Sequence, residues 1–531
     1  MKSIQFSGFL FFILLCNSIF GQVQVQAVGG NGADEVSKIL ALPQGILVAG
    51  IYQNQMNWEQ NLIVSNGNAD VFLAWLDTSE QLQDIMSLGN LSNNTIHALD
   101  VDSLGNIYLA MSFIGNIQID SFNFQSNTNT VLLIKIDPLH SIQWVKAFDV
   151  GGVFQITDLK IDFNNQFMWL SGYYNQNFSF QGQSFATAAQ YAPFVMKMKC
   201  MNGELSWMQE ANKAKYAKST AIQPLDDGSG IVSGIFIDSL QVDDSLFYQS
   251  FIHTEIFMAK LDSAGNWIQV KHWGGVYDDE PRQLKISPNK RELWLAGEFV
   301  GILQVDSFQL ITERRFYDIF WIKLNTDLEV LQAGQSNTKA NAYTKTIFVD
   351  SQKVLIGGYF QDSLEAAGVT HYSFGALDFF YFEINAQNAQ LLRAKTSGGG
   401  RNDILNSLLR KEDKLCSAGY FQDQLNLSGQ IINAQGFSDG WLRCETWNGA
   451  LSVMIQNTES YPFSLYPNPT REMLFINADE EGIWYLYDLQ GRFVLSGKEK
   501  QIDLSSVKSG FYLLQWISKQ QMKSVKIMKW D

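Results

Sequence analysis

Cysteine is scarce in this chain: 4 among 531 residues, beside 9 prolines and 5 histidines. Cys16 lies in the leading segment, which leaves Cys200, Cys416 and Cys444. No pair has metal-ligand spacing, so a zinc cluster and a disulfide scaffold are both excluded. Cys416 and Cys444 fall on neighbouring expected strands. An oxidising compartment would let them bridge, but two buried thiols are the expectation. The histidines (His97, His140, His253, His272, His371) share no motif. There is no HExxH, no GxSxG and no P-loop, and the glycine run at Gly398 has no helix after it to cradle a phosphate. Charge is sparse as well, at 17%, and acidic on balance: the net charge is −15. Long-range repulsion therefore disfavours nucleic acid as a partner. Long apolar runs are missing beyond the N-terminus, and no transmembrane segment is expected. The start itself, with Lys2, the apolar run Phe9 to Leu15 and small Gly21, reads as a signal peptide over residues 1–21 with cleavage before Gln22.

What the chain does have is a repeat of about 61 residues. Its clearest copy runs from Thr95 to Asp149. It holds four short alternating runs, with a tight turn at Ser103 to Asn106. Aligned on the second run of each copy, small residues recur: Gly50, Met111 (the exception), Gly172, Gly234, Gly297, Gly358 and Gly419. Third runs repeat in step from Asp70, Thr130, Pro193, Glu255, Asp318, Asp378 and Asp439. Their alternation predicts half-buried strands. Four strands cannot bury both faces alone, whereas sheets stacked radially in a closed ring can. The fold class expected is therefore all-β: a seven-bladed β-propeller over residues 22–457. A spare run at either end, Val23 to Val28 or Leu451 to Gln456, would complete the last blade. The repeats resemble a family of bacterial β-propeller repeats on exported proteins. Gly29-Gly30 with Asp34, and Trp273-Gly274-Gly275 with Asp279, carry that likeness best.

After Gln456 the repeat stops. Short alternating runs over residues 458–531 predict a small antiparallel β-sandwich. This tail resembles the type A C-terminal sorting domain of the type IX secretion system of Bacteroidetes. The matching residues are Tyr466, Pro467, Asn468 and Pro469; Asp488, Gly491 and Arg492; Gly510 and Tyr512; and Lys526 and Lys529. The resemblance implies recognition by the type IX machinery and export through the outer membrane. It also implies cleavage of the tail, with attachment to surface lipopolysaccharide or release. Asp-Ser-Leu at Asp102, Asp238, Asp244 and Asp362, and Asp-Ser-Ala at Asp262, resemble the O-glycosylation sequon of the same bacteria.

Loops leading into the first strands place Asp34, Glu35, Asp278, Asp279, Glu280 and Asp403 near the axis, as candidate ligand-binding carboxylates. Aspartates and glycines of the short turns, as at Asp102, Asp226 and Asp262, are explained by turn geometry, and a calcium loop would need more carboxylates. No metal, cofactor or catalytic residue is expected. The function expected is a surface or secreted binding platform with a glycan or protein ligand. A polysaccharide hydrolase or lyase and a structural envelope or adhesion component are the alternatives.

Overall fold

In the computed structural model, strands make up the regular structure, and the described residues include no helix. Those residues are 24–211, 214–242, 247–250, 253–312, 315–411, 413–427, 429–447, 464–466, 470–477, 482–488, 492–518 and 522–530. The expected signal peptide lies outside them. Two compact units divide the chain, Met1–Trp447 and Asn448–Asp531.

In the first unit, Thr95–Val101, Ile107–Ile119, Phe122–Ile136 and Ile142–Ala147 pair in chain order as a four-stranded antiparallel sheet. The same order recurs from Glu35–Leu42, Phe154–Ile161, Tyr216–Pro224, Asp279–Ile286 and Ala342–Val349. A last sheet begins with Asp403–Lys411 and Lys414–Phe421, and its third strand is Asp439–Thr446. Its fourth strand comes from the opposite end of the repeats. Gln24–Gly30 pairs antiparallel with Asp439–Thr446, from Gln24↔Cys444 to Val28↔Gly440. The other spare run, residues 451–456, lies outside the described residues. Cys416 and Cys444 stand directly opposite each other in this sheet and are joined by a disulfide. The expectation of two thiols is thereby corrected: cross-strand pairing brings their Cα atoms to 4.0 Å. Cys200 is free and buried.

First strands touch one another in succession, and Asp403–Lys411 packs on Glu35–Leu42, so the series returns on itself. Each carries a register shift at the same place, after Val36, Ile96, Ile156, Ser219, Pro281, Thr344 and Leu405. Such a bulge pushes the chain toward its neighbour and explains the recurrent glycine of the second strand. A Cβ on Gly50 would lie 2.0 Å from the Glu35 carbonyl oxygen, and one on Gly172, Gly297 or Gly419 meets Gln155, Glu280 or Ile404 at 2.0, 2.1 or 1.8 Å. First strands are also sheet edges, with amides that lack a strand partner. Side chains of the preceding first strand satisfy several of them. Ile39 N donates to Ser407 Oγ, Ile161 N to Asp100 Oδ2, Ile222 N to Asp158 Oδ2, Ile286 N to Gln223 Oε1, and Leu408 N to Thr346 Oγ1.

Third strands are buried on both faces, not half-buried. Ala69 to Leu76 is enclosed throughout, as is Asp318 to Leu324. Neighbouring sheets cover both sides, and apolar clusters straddle consecutive sheets, as Tyr108 and Leu133 do with Phe154 and Met196. The polar residues of these strands span the gap between sheets. Lys135 Nζ donates to the Cys200 carbonyl at 3.1 Å, Lys260 to Thr326 at 2.9 Å, and Lys323 to Ala386 at 2.9 Å. Each lysine thus ties its sheet to a turn of the next. Lys260 and Lys323 also pair with Asp327 and Glu292 at 3.3 and 3.0 Å, so the enclosed ammonium has a counter-charge as well as a carbonyl.

The second unit has two sheets. Ser464–Tyr466, Met473–Asn477 and Gln501–Asp503 form one; Phe493–Gly497, Gly482–Asp488, Gly510–Ser518 and Met522–Lys529 form the other. Leu474, Ile476 and Ile502 from the first share one apolar core with Trp484, Leu514 and Ile527 from the second.

Candidate functional site

Three of the six candidate carboxylates are buried. Asp34 lies at the start of its first strand. Its Oδ2 accepts the Gly30 amide at 2.7 Å and its Oδ1 the Gln53 amide at 2.9 Å, while its own N–H donates to the Ser438 carbonyl. Asp403 accepts from Gly399 N at 2.5 Å, and its N–H donates to Leu377. Asp279 occupies the same place near the Gly275 and Val300 amides. Burial is the chief cause that pushes their carboxyls up, to about 7 for Asp34, about 8 for Asp403 and about 9 for Asp279. The Asp34 and Asp403 carboxyls thereby lock the loop into the first strand, whereas the Asp279 carboxyl makes no hydrogen bond among the described residues and this position is held by its own N–H donating to the Thr254 carbonyl.

The Gly-Gly pair belongs to the same lock. A Cβ on Gly29 would strike the Asp439 carboxyl, and one on Gly398 that of Asp378. At the second glycine a Cβ would meet a backbone carbonyl, 2.0 Å away at Gly30 and 1.5 Å at Gly275. In the second copy, Asn94 replaces the aspartate and accepts from Asn90 N.

The remaining three candidates reach solvent. Asp278 accepts from Thr254 N and Oγ1 at 3.0 and 3.1 Å, with His253 at 3.5 Å. Glu35 accepts from Ser37 Oγ. Glu280 pairs with Arg282 at 2.5 Å, and Arg282 Nε also reaches the buried Glu298 at 2.7 Å. Around this ion group stand tyrosines that the sequence reading left unassigned. Tyr343 lies 5.6 Å from Tyr317 and 5.1 Å from Tyr359, ring centre to ring centre. Tyr359 in turn neighbours Tyr420, whose own charged neighbours are Glu35 and Asp403. A second arc holds Lys218, whose Nζ stands 4.7, 4.4 and 5.0 Å from the rings of Tyr173, Tyr191 and Tyr216. That is cation–π distance. Both arcs sit at the starting ends of first strands. Their signal in the sequence was the Gly-Tyr pair at Tyr173, Tyr359 and Tyr420, which the glycine register had masked.

Elsewhere, a groove of about 440 Å³ opens on the turn side between the first two copies, lined by Pro43, Trp75, Leu104, Leu139 and His140. Its one imidazole is occupied: His140 Nδ1 stands 2.5 Å from Asp84 Oδ2, and its ring stacks on Trp75 at 3.8 Å. The turns beside it follow the expected geometry. Asp102 Oδ1 accepts from Leu104 and Asn106 N, and Gly105 has φ 89°. His97 shares a 2.6 Å contact with Gln155, and burial holds its imidazole down to about 4. Among the described residues, no three His, Cys, Asp or Glu side chains gather as metal ligands would, and no helix is long and apolar enough to cross a membrane.

In the second unit, Tyr466 pairs with Phe475. Arg492 donates through N and Nε to Asp488 at 2.9 and 2.6 Å. Tyr512 Oη donates to the Lys508 carbonyl at 2.7 Å, Gly510 pairs with the buried Lys529, and Lys526 Nζ lies 4.5 Å from the Phe511 ring centre. The motif residues therefore build the fold of this unit. Pro467, Asn468, Pro469 and Gly491 lie outside the described residues.

No curated protein matches the chain in sequence. Among solved structures, quinohemoprotein alcohol dehydrogenase from Comamonas testosteroni superposes with a TM-score of 0.38 and 9% identity, covering 80% of this chain and 76% of that one. Hydrazine synthase of Kuenenia stuttgartiensis gives a TM-score of 0.38 at 8% identity, over 75% and 95%. Synechocystis apocarotenoid oxygenase gives 0.35 at 11%, over 69% and 73%. These superpositions transfer no site and no ligand to this chain. Residues 464–529 match the family described as the secretion system C-terminal sorting domain. The chain thus carries a type IX secretion sorting domain, which implies a Bacteroidetes source and export to the cell surface or the extracellular space.

Proposed function

We propose that the repeats are the blades of a seven-bladed β-propeller spanning residues 22–457, and that this propeller is a binding platform for a glycan outside the cell. Support for the ring comes from first strands that touch in succession and from the N-terminal strand that completes the last sheet. The observation that carries the binding role is the arc of Tyr317, Tyr343, Tyr359 and Tyr420 with Glu280, Arg282 and Glu35 at the mouth. Tyrosine faces offer apolar area at low entropic cost, and neighbouring charges can order hydroxyl groups. In this reading the buried Asp34, Asp279 and Asp403 hold the loops that present the arc, and Glu35, Asp278 and Glu280 are the carboxylates that meet ligand. The tail, residues 458–531, is read as a β-sandwich that addresses the protein and is cleaved after export, leaving the propeller on surface lipopolysaccharide or free. A glycan array probed with the exported protein tests the binding role. Tyr343→Ala and Tyr359→Ala should each weaken the strongest hit by about tenfold or more. Undiminished binding by both variants would remove the mouth as the site.

A further inference from the structure

Below the mouth, the first strands bring charges together on the ring axis that no turn or loop lock uses. Lys38, Asp100, Asp158, Lys160 and Lys285 come from first strands of the first, second, third and fifth copies. They are one electrostatic group. Lys38 feels Lys160, Asp158, Asp100 and Lys285, and Lys285 feels Lys160, Asp100 and Asp158.

The two carboxylates are already engaged. Asp100 Oδ2 accepts from Ile161 N at 2.9 Å. Asp158 accepts from Ile222 N through Oδ2 and binds Lys160 Nζ at 2.7 Å through Oδ1. Lys38 Nζ donates to the Leu99 carbonyl at 2.7 Å. Among the described residues, no hydrogen bond or ion pair reaches the Lys285 ammonium. Three ammonium groups thus face two carboxylates, and one positive charge is left over.

The surroundings add a second observation. Lys285 is reached by solvent, yet enclosure by protein is the largest influence on its amine, which is held below the ordinary lysine value. First strands touch one another in a series that returns on itself, so a solvent-exposed ammonium on one of them faces the space that the series encloses. In such a space a fixed positive charge is poorly screened and attracts a counter-charge strongly.

We propose that this axial channel binds a small oxyanion or carboxylate, held by Lys285 and Lys38 with Lys160 beside them. Lys285 supplies the unpaired charge. Lys38 and Lys160 contribute donors beyond those spent on Leu99 and Asp158, since an ammonium has three. The site rests on the closed ring proposed above, but it needs nothing from the tyrosine arc and stands whatever the mouth binds.

The test is thermal melting of the full chain in inorganic phosphate, sulfate, acetate or glucuronate, against chloride at matched ionic strength. A specific anion raises Tm with the logarithm of its concentration. Lys285→Gln should weaken the apparent affinity by about tenfold, while Lys199→Gln, which alters an exposed pair with Glu204, should leave it unchanged. A response to phosphate and sulfate identifies an inorganic oxyanion; a response to acetate and glucuronate identifies a carboxylate. Should Lys285→Gln fail to fold, calorimetric titration of the unaltered chain with sulfate, whose own charge is constant between about pH 7 and about pH 9, decides instead. Lys38 is held down to about 8 by burial and by Lys160, so affinity should drop on moving from about pH 7 to about pH 9. Equal melting in all anions and chloride would overturn the site, as would full affinity in Lys285→Gln or, in the fallback, a pH-independent affinity.

Discussion

Removing the Cys416–Cys444 bridge should loosen one sheet of the first unit and leave the others alone. The bridge closes a loop with a sequence separation of 28. In the chain-entropy account, a loop of that length is worth about 3 to 4 kcal/mol. The bond lies on the strand that also holds the N-terminus, because Cys444 pairs with Cys416 on one side and Gln24 on the other. Opening of Asp439–Thr446 should therefore expose three strands together. The perturbation is the double variant Cys416→Ala, Cys444→Ala, and the assay is native-state hydrogen exchange read strand by strand. If the full entropic term applies locally, amides in Lys414–Phe421, Asp439–Thr446 and Gln24–Gly30 should exchange about a hundredfold to a thousandfold faster. Amides in Phe167–Tyr174 and Ala192–Lys199, on a sheet without a disulfide, should keep their rates. Unchanged exchange in the three strands would refute the reasoning. So would uniform acceleration everywhere, because the bridge would then act on the whole unit and not on its closure.

Other outcomes follow from features already described. Asp34, Asp403 and Asp279 hold their protons in the folded state to about 7, 8 and 9, whereas an unfolded aspartate loses its proton near 4. The folded state then binds more protons between about pH 4 and pH 9, so stability should fall as pH rises through that window; a urea midpoint that rises from about pH 5 to about pH 8.5 would contradict this. Gly275→Ala would put a methyl 1.5 Å from the Ile302 carbonyl oxygen and should cost about 3 kcal/mol or more, read as lost yield or a lowered denaturant midpoint. Deleting residues 459–531 should strand the protein in the periplasm, with fractionation as the readout. Of the Asp-Ser pairs, Ser103 and Ser263 are exposed and Ser363 is buried, so peptide mass spectrometry of the exported chain should find glycan on the first two and not on the third.

The repeat was legible because its glycines answer a local steric demand. Gly50 and Gly358 sit where a bulged neighbour presses a carbonyl against them, and glycine at that place in six of the seven copies leaves a period in the chain. Third-strand lysines such as Lys260 and Lys323 looked like the polar half of an alternating strand. Their role needed the next sheet, whose turn carbonyl they reach. The tail was legible because its motif residues build its own fold, as the Asp488–Arg492 and Tyr512–Lys508 bonds illustrate. Asp34, Asp279 and Asp403 were visible as a pattern, but only coordinates reveal that backbone amides surround them. The axial charges left no trace. Lys38, Asp100 and Lys285 share no motif, stand in different copies, and meet only when separate first strands are brought together.

The strand Gln24–Gly30 also imposes an order in time. It is made well before Asp439–Thr446, which is among the last strands of the repeats. Synthesis at roughly 5–20 residues per second puts tens of seconds between them. Throughout that interval Gln24–Gly30 lacks its partner in the last sheet and is able to pair with another chain. A chain cut short before the last repeat would be an arc with two adhesive ends. The closing pair therefore makes full-length passage a condition of solubility, and a nascent chain that stalls late in the repeats should be the most prone to aggregate.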